Sequence, residues 1–173
     1  MIGALAAAVV LAALAAADDG FPPADPVGAF LESDDPLLRE RGRRVLLARR
    51  GDAFDVFARA LGDDDPRRRE AAVVSLGELE DPRAGPLLRD AVEDEDPSVR
   101  VAALKALALQ IDGRADERLF TAARDPWWAV RRAAARALAP VPGARAAGEL
   151  GRLARDADPH VAEAAWRALL VHD

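Results

Sequence analysis

The sequence predicts an all-α fold of stacked helical hairpins, and three observations carry that prediction. Alanine supplies 41 of the 173 residues while aromatic residues make up only 5%, a balance that favours helices over strands. Twelve prolines cut the chain into short pieces. Leu46, Leu76, Leu107, Leu138 and Leu169 recur at spacings of 30, 31, 31 and 31. A period of that length marks an array of units that bury their apolar faces against one another.

Residues 1–17, MIGALAAAVVLAALAAA, carry none of the charged side chains. The run ends in Ala15-Ala16-Ala17 before Asp18-Asp19-Gly20, the small-residue pattern of a secretory cleavage site. A signal peptide over 1–17 is therefore expected, with a mature chain beginning at Asp18 that is secreted or periplasmic and has no stable membrane insertion. Against it, only the terminal amine supplies positive charge. The alternative is a membrane anchor through residues 2–17, which is shorter than the roughly 20 apolar residues that span a bilayer. Without cysteine the chain has no disulfide and no thiol to lipidate. Residues 18–34 read as a linker and an N-terminal capping helix, with Asp25 to Ser33 resembling an unpaired short helix.

Residues 35–173 form the repeat domain, with units expected to start near 35, 65, 96, 125 and 158. Asp-Pro opens each one, at Asp35, Asp65, Asp96, Asp125 and Asp158. Aspartate suits the N-cap, where its carboxylate accepts from orphaned amides, and proline suits the first turn, where its missing N–H costs nothing. Four residues before each periodic leucine stand Gly42, Ala72, Ala103, Ala134 and Ala165, and eight before stand Leu38, Arg68, Val99, Val130 and Val161. Offsets of four and eight share one helix face, so the longer helix A of each repeat carries an inward stripe with a small residue at its middle. A shorter helix B follows, over Ala53 to Leu61, Pro86 to Val92, Asp116 to Ala123 and Ala144 to Ala154. The fourth unit is read with two extra residues between Asp125 and Val130, and the last has only helix A, from Pro159 to about Val171.

The segments DPSVRVAALKALALQ, DPRRREAAVVSLGEL, DPWWAVRRAAARALA and DPHVAEAAWRALL resemble HEAT repeats, in particular the short kind of about 30 residues also found in phycobilisome lyases. The resemblance covers Asp35 to the end. It implies a right-handed α-solenoid of about four to five helical hairpins, with helix A on the convex side, helix B on the concave side, and a scaffolding role.

Arg39, Arg69, Arg100 and Arg131 form a column that becomes Ala162 in the last unit. An acid four residues before a base supports a helix, and the resemblance implies that these aspartates and arginines knit one repeat to the next. The acidic turns before each helix A read as caps and solubilising charge, since the D-x-D-x-D-G geometry of a calcium loop is absent. Trp127 shares a helical face with Val130 and is expected to be buried. Trp128 shares one with Arg131 and Arg132 and is expected to be partly exposed and to stack with an arginine. Trp128, Arg132, Trp166 and Leu169 are the candidate interaction residues, the last two on a terminal helix suited to self-association.

Function classes narrow quickly. With a net charge of −6, the chain opposes nucleic acid, and none is expected as a partner. With no Cys, Tyr or Asn, and His160 and His172 lacking an acid or nucleophile at motif spacing, no catalytic, cofactor or metal site is expected. The leading expectation is a non-catalytic scaffold for an unidentified protein. The alternative is a chromophore-binding or small-molecule-binding lyase-like protein using the concave groove.

Overall fold

The computed structural model describes residues 50–79, 81–110 and 116–171. The chain divides into two compact units, residues 1–50 and 51–173, and the described helices build the second. The expected signal peptide, capping helix and first helix A, with Asp35 and Arg39, and His172 fall outside the described residues.

Among the described residues eight helices follow in order: α1 Arg50–Ala60, α2 Pro66–Glu78, α3 Ala84–Ala91, α4 Pro97–Gln110, α5 Glu117–Ala122, α6 Trp128–Leu138, α7 Ala144–Leu153 and α8 Pro159–Leu169. The even-numbered helices are the A helices and pack in a row, α2 on α4, α4 on α6 and α6 on α8. The B helices α3, α5 and α7 contact this row, with α3 between α2 and α4 and α7 between α6 and α8. All the described regular structure is helical, in the stacked arrangement of an α-solenoid. No described helix is long and apolar enough to cross a membrane.

The inward stripe follows the sequence columns. Ala72, Ala103, Ala134 and Ala165 are fully buried, as are Val99, Val130 and Val161. Leu76, Leu107 and Leu138 are buried beside them. Small side chains at the middle bring neighbouring A helices close, and Gly77 shows how close: a Cβ there would lie 2.7 Å from the Cβ of Ala106 on α4. The Pro140-Val141-Pro142-Gly143 connection turns through Gly143 at φ 105°, a conformation that a side chain would strain. α3 begins two residues earlier than its proline suggests, at Ala84. Pro86 then falls in the first turn, where no intrahelical N–H is needed.

The fourth unit corrects the sequence reading. Its N-cap is Trp127, not Asp125, so α6 keeps the 31-residue register without an insertion. Trp127 stands in the column of Asp65, Asp96 and Asp158, and Trp128 in that of Pro66, Pro97 and Pro159. As a cap in extended conformation Trp127 precedes the helix and does not share its inward stripe, so it is 53% exposed. The expectation that it is buried is therefore wrong.

Candidate functional site

The turn before each A helix is built around one aspartate. Asp63, Asp94, Asp125 and Asp156, spaced by 31 residues, each accept the backbone N–H two residues on, at 2.9, 2.8, 2.8 and 2.9 Å. The arginine column binds these residues and not the capping aspartates. Arg69 donates from Nε and NH2 to Asp94, both at 2.9 Å. Arg100 reaches Asp125 at 2.9 and 3.1 Å, and Arg131 reaches Asp156 at 2.8 Å from both nitrogens. Each partner lies 25 residues ahead, in the next repeat. The remaining nitrogen, NH1, donates to two carbonyls of its own repeat's turn: Asp63 and Asp64 for Arg69, Asp94 and Glu95 for Arg100, Asp125 and Pro126 for Arg131. The planar guanidinium fork therefore ties two consecutive turns with bidentate, charge-assisted bonds.

Asp65 and Asp96 serve instead as N-caps, accepting from the backbone N–H groups of Arg67 and Ser98. The ladder between repeats that the resemblance implies is therefore present, with Asp125 among its acids, but its other acids are Asp94 and Asp156 and not the capping aspartates: a guanidinium directed back toward its own turn gives NH1 to that turn's carbonyls and its other edge to the aspartate of the next turn in the stack. The Arg131 guanidinium, assisted by the Asp158 amide and opposed by burial, holds the Asp156 carboxyl below its ordinary value. Among the described residues, no cluster of acidic or histidine side chains is arranged to hold a metal ion.

On the B-helix side lies an open groove of about 670 Å³, lined by Glu93, Arg118, Phe120, Arg124, Arg145 and Glu149 among others. Its charges are mutually engaged. Arg118 pairs with Asp90 and Glu93, and Arg145 pairs with Glu117 while its guanidinium lies 4.0 Å above the Phe120 ring. Nearer the start of the chain, Arg83 sits in the same way over Phe54, 3.9 Å from Asp55. Glu149 is buried and receives both Arg124 and Arg152. Burial pushes its carboxyl up, but the two guanidinia outweigh that and hold it below its usual range.

The four candidate interaction residues do not form one surface. Trp128 opens α6 at the edge of the array, 37% exposed, and its ring neighbour is His160 at 5.5 Å, not an arginine. Arg132 lines a groove between α4 and α6 on the A-helix side. Trp166 is 58% exposed on α8, and Leu169 is half-buried at the end of that helix. Sequence reasoning missed the B-side pairs, whose only signal is a 28-residue acid-to-arginine offset in Asp55–Arg83, Asp90–Arg118 and Glu117–Arg145.

A row of A helices backed by B helices, with each repeat's turn tied to the next through an arginine fork, defines a helical repeat protein of the α-solenoid class. Residues 24–108 match the family model for HEAT repeats. The chain is a HEAT-repeat protein. A comparison with curated proteins returned no match. Among solved structures, the complex of CpcE and CpcF of phycocyanin lyase from Nostoc superposes with a TM-score of 0.70 at 24% identity, covering 82% of this chain and 95% of the other. YibA of Escherichia coli gives 0.73 at 24% identity over 86% of this chain, which spans 58% of that structure. A designed armadillo repeat protein in complex with the peptide (KR)4 gives 0.57 at 16% identity, covering 86% and 81%. At these identities the likenesses concern the fold alone.

Proposed function

We propose that this chain is a non-catalytic scaffold that holds a protein partner, with the B-helix groove as its principal contact surface. The supporting observation is the character of that groove: it is open, and its arginines are already paired with carboxylates. A small-molecule site is enclosed and mostly apolar, with a few convergent polar groups. Arg132 and Trp128 on α6, and Trp166 and Leu169 on α8, offer further contact area to a partner or to a second copy of the chain. The same reading has the protein exported after cleavage behind Ala17, so the native protein is expected to begin at Asp18; an intact mass that includes Met1 refutes export with cleavage.

The test is photo-cross-linking in the native host from a reactive residue placed at Thr121, which lines the groove. A defined protein adduct that weakens in Arg145→Glu is expected, while Trp128→Ala and Leu169→Asp report on the edge and on α8. If no protein is captured and the purified chain carries a small molecule by native mass spectrometry, the lyase-like alternative replaces this reading.

A further inference from the structure

The A-helix side carries a second groove, of about 500 Å³, between α4 and α6. Its floor is apolar: Val101, Ala108 and Ala129 are partly exposed there, Leu104 is fully buried, and Leu109 stands beside them. Leu109 is 83% exposed, the largest value among the exposed large hydrophobic side chains. Among the described residues, the charged groups lining the groove are Lys105 on α4 and Arg132 and Arg136 on α6, with no carboxylate beside them. No described acid pairs with any of the three, whereas the arginines of the rungs and of the B-side groove are all engaged with carboxylates. In a chain with net charge −6, three cations with no partner among the described residues, set around one apolar trough, form a local field opposite in sign to the whole.

From this complementarity we infer that the α4–α6 groove docks an acidic amphipathic helix of a partner protein. Its bulky apolar side chains seat on Val101 and Leu109, and its carboxylates face the three cations. Arg132 and Arg136 stand one turn apart, about 6 Å along the axis, which matches carboxylates at i and i+4 on a facing helix. Recognition of this kind lays apolar anchors into a trough and uses the rim charges for register and rate of encounter. A flat anionic membrane does not reach a floor recessed between two helices, and a free fatty acid has one carboxylate for three cations in a trough that leaves it exposed. The inference rests on the scaffold reading but concerns a different face from the B-helix groove.

The experiment measures binding of the full chain to a fluorescein-labelled synthetic helix with leucine at i, i+3, i+4 and i+7 and glutamate elsewhere, by anisotropy. Saturable binding that weakens with salt is expected. Arg132→Glu with Arg136→Glu, and separately Lys105→Glu, should weaken it by about tenfold or more, while Arg145→Glu in the other groove leaves it unchanged. Unaltered thermal melts show that the exposed substitutions preserve the fold, and Arg132→Gln with Arg136→Gln provides a gentler second variant. The inference is overturned if the peptide fails to bind at millimolar concentration, if a glutamine-for-glutamate peptide binds equally, or if charge reversal has no effect. Sedimentation with phosphatidylglycerol vesicles in the absence of peptide binding also overturns it, in favour of a lipid surface. Cross-links from Thr121 that persist through such a failure leave the scaffold reading intact.

Discussion

Arg100 and Asp125 meet across a repeat boundary, Nε to Oδ2 at 2.9 Å and NH2 to Oδ1 at 3.1 Å, with both side chains largely buried. Removing Arg100 leaves the largely buried Asp125 carboxylate without its guanidinium and the Asp94 carbonyl without its donor. Arg100→Ala is therefore expected to cost about 2–4 kcal/mol in urea unfolding. Arg132→Ala, which breaks no pair among the described residues, should stay within about 0.5 kcal/mol. Equal losses from the two substitutions would show that the rungs carry no more stability than surface charge.

Gly77 faces Ala106 at a distance that forbids a Cβ. Gly77→Ala should destabilise by about 1–3 kcal/mol through overpacking, against the usual gain of replacing glycine within a helix. Adding Ala106→Gly should recover most of the loss. If Gly77→Ala raises the melting temperature, the close approach of α2 and α4 is wrong.

Acid should weaken the fold through Asp156 and Glu149. Both carboxyls are held below their ordinary values in the folded protein. Their stabilising contribution is therefore complete above roughly pH 5 and is lost as the pH falls through the folded-state values. Asp156→Asn and Glu149→Gln should lower stability at neutral pH and flatten its dependence between roughly pH 5 and 3. The check is a series of urea midpoints over that range; parallel curves for wild type and variants would remove the assignment.

α6 begins at a tryptophan that makes no side-chain cap, whereas Asp65 and Asp158 cap the corresponding helices. Trp127→Asp should supply the missing acceptor and stabilise by about 0.5–1 kcal/mol, since the ring it removes is more than half exposed. A lowered midpoint would mean that Trp127 contributes packing not evident from its exposure.

The repeat architecture was legible because the inward stripe is a matter of spacing: Ala72, Ala103, Ala134 and Ala165 must all face inward once a 31-residue period meets a 3.6-residue turn. The rung partners were less legible. Asp65 and Asp96 stand at an attractive offset from Arg69 and Arg100 in sequence, but which carboxylate a guanidinium reaches depends on how one turn stacks over the next. Asp125-Pro126 misled for a related reason, since the dipeptide fits a cap and here occupies the turn column instead. The candidate surfaces were the least legible. Arg132 was marked for its neighbour Trp128, yet its environment is set by Lys105 and Val101 on α4, about 30 residues earlier in the chain.

One oxygen atom does two jobs in each rung. Oδ1 of Asp94 accepts the Asp96 amide and the NH2 of Arg69; Oδ1 of Asp125 accepts the Trp127 amide and Arg100; Oδ1 of Asp156 accepts the Asp158 amide and Arg131. Local order in a turn and coupling to the neighbouring unit are thus the same event. A repeat whose turn melts releases its neighbour's guanidinium at once, so nearest-neighbour cooperativity is written into the start of each A helix as well as into the apolar interface between repeats.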